Sequence, residues 1–323
     1  VASHRADKNR ARAARTGATL AGRSGLRAGG SSPEPGLIRR WGPCIEPMGA
    51  ASVDRYRTAL RDLGLIGAVP ALLVWIHVVF PPAIRTRMAF HHESVDPVSL
   101  YTSAFVHLDL MHLLGNVAGF VAAALVAYGL CVQVGHRQWF RVTFAGFLLV
   151  LPVAVSLTSY AVIGLLYPSI EPVSRGFSGV GAAFAGFVFV ALLSALSRLY
   201  DYRVAGYTGL AIWLLLLFEV YLIYVGDVTP PIGGLFAVGW GACLLGIHRE
   251  STRKRMLSRP RSRVELIQLA QTVLVVVLLV SFVSVLFPPD IVEDGAVTNV
   301  FAHAAGFLYG IGGAALAGRY VRD

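Results

Sequence analysis

The sequence predicts an all-α polytopic membrane protein with about eight transmembrane helices. Three observations lead there. Hydrophobic residues make up 55% of the 323 residues and charged residues only 14%, whereas a water-facing chain carries about 25% charge. Mean hydropathy is +0.64. The apolar residues fall in uninterrupted runs of roughly 18 or more, the length a helix needs to cross a bilayer. A disulfide scaffold, a coiled coil, a disordered chain and a nucleic-acid-binding domain do not fit this composition.

The runs lie at 63–81, 107–131, 140–167, 177–198, 207–225, 231–248, 264–287 and 298–318. The fifth and sixth are near the lower length limit for a span. Loop charge orients them. With the N-terminus inside, the inner segments carry sixteen Lys/Arg and the outer ones three, namely Arg85, Arg87 and Arg175. The run HRESTRKRMLSRPRSR (248–263) marks an inner loop and PPDIVEDGAV (288–297) an outer one. An even span count then places both termini in the cytoplasm, in a membrane read here as that of a prokaryotic cell.

The net charge of +10 is uneven: residues 1–47 contribute +6 and the remainder +4. The first 47 residues, rich in Arg, Ala, Gly and Ser, read as a basic low-complexity tail, either disordered or upstream of a true start at Met48. Residues 48–323 read as the membrane-embedded domain. Cys44, Cys131 and Cys243 are odd in number and match no metal spacing, so neither a disulfide framework nor a zinc site is expected.

Polar residues inside spans are costly and are functional candidates for that reason. Three clusters open three spans: HLDLMHLLGN (107–116), RGFSGVGAAFAGF (175–187) and NVFAHAAGFLYG (299–310). In the predicted orientation all three begin at the outer face. His112 and His303 each sit about five residues in, roughly 8 Å deep, and Ser178 opens its helix. His112 and Asn116 share a helix face, whereas His107 and His112, five apart, point about 140° away from each other, which weakens a two-His metal site. A common depth for Ser, His and Asn suggests one cavity open to the outside. A fourth polar residue, Glu219 in LLLLFEVYLIY, leaves three readings open: orienting a His, sensing pH, or a structural pairing with Arg175 near the outer face, the last being favoured.

Ser with His supports nucleophilic catalysis, in which His takes the hydroxyl proton and returns it to the leaving amine. A helix N-terminus at Ser178, with His112 and Asn116, supplies donors for a developing oxyanion. Gly176 and Gly179 allow tight turns and close approach. The motif is G-x-S-G; Val180 replaces the second Gly of the α/β-hydrolase elbow. Gly306 and Gly310 form G-x-x-x-G on the His303 helix, and Ala182 and Gly186, with Gly179 and Gly181 nearby, give the Ser helix a small-residue face, which permits close packing.

At these residues the sequence resembles the rhomboid family of intramembrane serine proteases. The resemblance rests on H-x-x-x-N at His112–Asn116 preceded by His107, G-x-S-G at Gly176–Gly179, and A-H-x-x-G-x-x-x-G at Ala302–Gly310. It covers roughly 63–198 and 298–318. It implies a rhomboid-like bundle with a six-helix core and two extra helices between the Ser and His helices. It also implies a dyad of Ser178 as nucleophile and His303 as base, with His112, Asn116 and the Ser178 N–H stabilising the oxyanion. Gly176, Gly179, His107, Gly306 and Gly310 take supporting roles. The implied reaction is hydrolysis of peptide bonds in or near transmembrane segments of other proteins. The partners are those substrates and the bilayer, with no nucleic acid, cofactor or metal.

The sequence departs from the family in three places. Three helices, not one, separate the Ser and His helices. Val98 and Ser99 stand where the family has a Trp-Arg pair, and Ala182 replaces a Tyr that packs on the catalytic His in many members, so either another group orients His303 or it is less well held. These departures keep open a catalytically inactive rhomboid-like protein that binds or escorts membrane proteins. His91, His92, His107, His112 and His303, all placed on or near the outer side, leave a transporter or metal-permeating protein as a third reading.

Overall fold

The computed structural model describes residues 50–93, 95–166, 173–253, 263–289, 292–293, 296–297 and 299–322. The basic tail, residues 167–172 before the Ser motif, the centre of the basic loop (254–262) and part of the acidic loop lie outside the described residues.

Ten α-helices are described. α1 (Ala50–Val79) leads to two short helices, α2 (Pro82–Met88) and α3 (Pro97–Thr102), and a 3-10 turn at Ser103–Phe105. Then follow α4 (Leu110–Gln133), α5 (Arg137–Leu166), α6 (Ser178–Leu199), α7 (Tyr202–Val225), α8 (Pro230–Arg253), α9 (Arg263–Leu286) and α10 (Val300–Arg322). Eight of these are long and apolar enough to cross a membrane, and each coincides with one of the eight runs read from sequence. The protein is therefore an all-α polytopic integral membrane protein. The fifth and sixth runs extend to 24-residue helices because flanking polar residues continue the helical hydrogen bonding. Pro70 and Pro152 sit inside α1 and α5, as membrane helices allow.

The first connection carries structure of its own, the helices α2 and α3. Asp96 caps α3 by accepting the Ser99 N–H at 2.8 Å, and β1 (Phe90–His91) pairs antiparallel with β2 (Val173–Ser174), joining this connection to the segment before α6. A second two-residue pairing, β3 (Val292–Glu293) with β4 (Ala296–Val297), lies before α10.

α6 is the central helix: its apolar window is 89% buried, against 6% for α8. Small residues on α6 let neighbours approach, and a cluster of Phe120, Phe144, Phe147, Phe184 and Phe187 fills the space between α4, α5 and α6 with edge-to-face ring contacts. α10 packs on α6 backbone to backbone. A methyl group added at Gly306 would overlap the Gly179 carbonyl oxygen, and one at Gly310 would overlap the Ala183 backbone. α9 lies beside α4, where Phe282 rests against Gly119. Of the three helices between the Ser and His motifs, α9 thus closes the bundle, α7 backs it and α8 packs on the outside of α7.

At the end opposite the polar clusters, buried Asp62 accepts from Arg141 Nε at 2.7 Å and from the Tyr128 hydroxyl at 3.2 Å. The Trp139 indole N–H donates to the Ala314 carbonyl at 2.8 Å, tying α5 to α10. Cys131 and Cys243 are buried and not disulfide-bonded, and Cys44 lies outside the described residues.

The α6–α10 contact is directly testable. Gly310→Ala should lower stability in detergent by about 2 kcal/mol or more, because backbone on both helices must move. Gly312→Ala, with open space around it, should leave the unfolding midpoint unchanged. Equal midpoints for both variants would contradict the close approach.

Candidate active site

The first turns of α4, α6 and α10 meet at one end of the bundle. Ser178 is the first residue of α6, His112 the third of α4 and His303 the fourth of α10. All three therefore sit in the first turn of their helices.

The chain enters α6 through a pinned turn. Gly176 has φ +115°, a conformation that side chains disfavour. Its N–H donates to the Ser103 carbonyl at 3.0 Å, and the Phe177 N–H donates to His107 Nε2 at 3.3 Å. The Phe177 ring is fully buried against Phe105 and Phe120. Ser178 follows with its own N–H at the helix start, where no intrahelical acceptor exists.

α4 begins at Leu110 with Asp109 as its cap, whose carboxylate accepts the His112 N–H at 2.8 Å. Asn116 donates one amide hydrogen to the His112 carbonyl at 2.8 Å; its second remains available. Both side chains face Gly176: a methyl added there would stand 2.8 Å from the His112 imidazole and 3.8 Å from Asn116 Nδ2. His112 and Asn116 thus border the turn that delivers Ser178.

α10 is started by Asn299, whose side-chain oxygen accepts the Ala302 N–H at 3.0 Å. Its amide donates to Ser159 and, at 3.4 Å, to Ser174, which is also 2.9 Å from His92. His303 is 8% exposed. Its Nε2 lies 2.8 Å from Ser178 Oγ and its Nδ1 lies 2.6 Å from the Leu286 carbonyl oxygen. A carbonyl only accepts, so Nδ1 carries the proton, and Nε2 is left to accept the Ser178 hydroxyl. The Phe287 ring stands edge-on to the imidazole at 6.3 Å. The Leu286 carbonyl and the Phe287 ring are thus the groups set against the His303 imidazole besides Ser178.

An apolar cavity of about 250 Å³ opens beside His303, between α6, α7, α9 and α10, with Trp213, Leu216, Val283, Phe287 and Phe307 among its walls. Apart from the imidazole and the Trp213 indole, every lining side chain is a hydrocarbon. His303 therefore meets Ser178 through Nε2 while its ring also borders a cavity walled by the hydrocarbon of α7 and α9.

Two sequence expectations need correction. His107 does not lie on α4, which starts three residues later, so the argument that its ring points away from His112 fails. The rings contact edge-to-face at 5.1 Å, because Asp109 caps the helix and turns the preceding chain back. His107 is pushed down to about 3, by burial first and by the neighbouring His112 second, which keeps it a neutral acceptor for the Phe177 N–H. Glu219 does not pair with Arg175; its Oε1 accepts from the Ser284 hydroxyl of α9 at 2.6 Å.

The residues the sequence did not single out are Leu286, Asp109, Asn299 and Ser103. Asp109 and Asn299 carry a signal, an Asp or Asn just before an apolar helix. Leu286 and Ser103 contribute backbone carbonyls, which any residue type supplies. Among the described residues, no three His, Cys, Asp or Glu side chains gather as a metal-holding group. Comparisons with protein-family models, with curated proteins and with solved structures returned no match for this chain.

His107 gives a pH prediction. The unfolded chain binds a proton at His107 below its ordinary value of 6.5, while the folded chain stays neutral there to about 3. Its contribution is complete above pH 6.5 and declines as pH falls toward 3. Unfolding midpoints from pH 7 to 4 should fall less steeply in His107→Gln than in wild type; identical slopes would refute the assignment.

Proposed function

We propose that this chain is an intramembrane serine protease of the rhomboid type, cleaving peptide bonds in or near transmembrane segments of other membrane proteins. The observation that carries the reading is the Ser178–His303–Leu286 hydrogen-bond chain, joining side chains 125 residues apart with the acceptor nitrogen toward the hydroxyl.

The chemistry follows from the atoms. His303 Nε2 takes the Ser178 proton as Oγ attacks the scissile carbonyl carbon, and a tetrahedral oxyanion forms. The Ser178 N–H at the positive end of α6, the second amide hydrogen of Asn116 and the His112 imidazole lie around the turn where that oxygen collects charge. The imidazolium passes its proton to the leaving amine, an acyl-enzyme remains, and water, activated by the same His303, releases it. The turn at 175–177 is tolerated inside a membrane protein because its Gly176 and Phe177 amides are satisfied by the Ser103 carbonyl and His107. In this reading the site opens toward the outer face, both termini are cytoplasmic, and the substrates reach the dyad through the bilayer. The peptide-bond chemistry asks for no cofactor.

The inactive-binder reading draws on Val98 and Ser99, which build the cap of α3 in place of a Trp-Arg pair. The formed dyad favours catalysis over it.

A fluorophosphonate or isocoumarin probe should label wild-type protein in membranes, and Ser178→Ala and His303→Ala should each remove the label. A single-span substrate should be cut by wild type and not by Ser178→Ala. Identical labelling and cleavage in all three proteins would end this reading. Asn116→Ala should lower the labelling rate about 10²-fold, the usual loss for one oxyanion donor.

A further inference from the structure

Glu219 and Ser284 take no part in the proposed chemistry, yet they stand in line with it. Glu219 lies deep in α7, where a carboxyl is costly. Its Oε1 accepts the Ser284 hydroxyl at 2.6 Å, and its Oε2 is buried without a hydrogen-bond partner. The side chain's directional contact is therefore with α9. Ser284 is two residues before Leu286, in the last turn of that helix, and Leu286 is the residue whose carbonyl holds His303 Nδ1.

Beside this bond, the end of α9 is held by Phe282 against Gly119 and by partial packing of Val283 on the core. The fully buried residues of α9 are Gln268, Val275 and Leu279, all earlier in the helix. Beyond them one side of the turn borders the apolar cavity, where there is space to shift. The final carbonyls of a helix have no partner within it, which frees the Leu286 oxygen for the imidazole but also leaves its place to whatever fixes the turn. A displacement of about 1 Å would take a 2.6 Å bond out of hydrogen-bond range.

We propose that Glu219 is a positioning residue. Through Ser284 it fixes the last turn of α9, so that the Leu286 carbonyl meets His303 Nδ1 and keeps Nε2 facing Ser178. The inserted helix α7 thereby acts on the dyad from behind, and α9 carries the action. This inference rests on the protease reading.

The test is the kinetics of Ser178 labelling by a fluorophosphonate in membranes, resolved into the maximal rate and the half-saturating probe concentration. Glu219→Leu and Ser284→Ala should each lower the maximal rate about tenfold, the effect of one hydrogen bond of ordinary net strength, with half-saturation and the unfolding midpoint unchanged. The double variant should be no slower than either single one. Glu219→Gln keeps an acceptor for Ser284 and should restore the rate. If Glu219→Leu fails to fold, Ser284→Ala removes the same bond without altering α7 and decides the matter. Wild-type rates in the folded variants, losses that track the folded fraction, or a Glu219→Gln as slow as Glu219→Leu would overturn the positioning role alone. No Ser178-dependent labelling in wild type would overturn the protease reading and this inference together.

Discussion

Backbone contact between α6 and α10 sets the geometry of everything near the site. Two helices with ordinary side chains lie 8–10 Å apart; here glycines let the α6 and α10 backbones touch, which fixes the register of the first turns that carry Ser178 and His303. Gly179 and Gly306 allow the contact at the level of the dyad, and Gly310 and Gly186 allow it one and two turns deeper. Lipid gives helices no hydrophobic reason to associate, so close van der Waals packing and interhelical hydrogen bonds must supply the attraction. The same small residues that hold the bundle together therefore bring hydroxyl and imidazole to 2.8 Å.

The site is then assembled from backbone as much as from side chains. Ser103 and His107 hold the two amides before Ser178, Asp109 holds the amide of His112, and Leu286 holds the imidazole. Each bond answers a demand the membrane makes: a polar group away from water must find a partner inside the protein. Satisfying those groups also removes their freedom. The first connection, with α2, α3 and the strand pairing to β2, belongs to this scaffold, because it is the part that reaches across to the turn preceding α6.

The His303 imidazole has two kinds of neighbour. Its Nε2 meets the Ser178 hydroxyl, and its ring borders a cavity walled almost entirely by hydrocarbon. Such a boundary suits the proposed reaction, which needs water and hydrogen-bond donors on one side of a base and an apolar surround continuous with the bilayer on the other.

Much of this was readable in the chain alone. Long apolar runs admit only helices in a bilayer, so the class and the positions of all eight spans followed from composition and length. The three polar clusters were visible because polar residues are rare in such runs, and G-x-x-x-G spacing marked α10 as a close-packing helix. What sequence order could not convey was anything that depends on the path of the backbone in space. Whether His107 is helical turned on a cap at Asp109, and whether Glu219 meets Arg175 or Ser284 turned on which helices are neighbours. The group that orients His303 is a peptide carbonyl, which has no letter of its own. Residue types specify what a side chain is able to do; the partner it does it with is set by helices distant in sequence packing into one bundle.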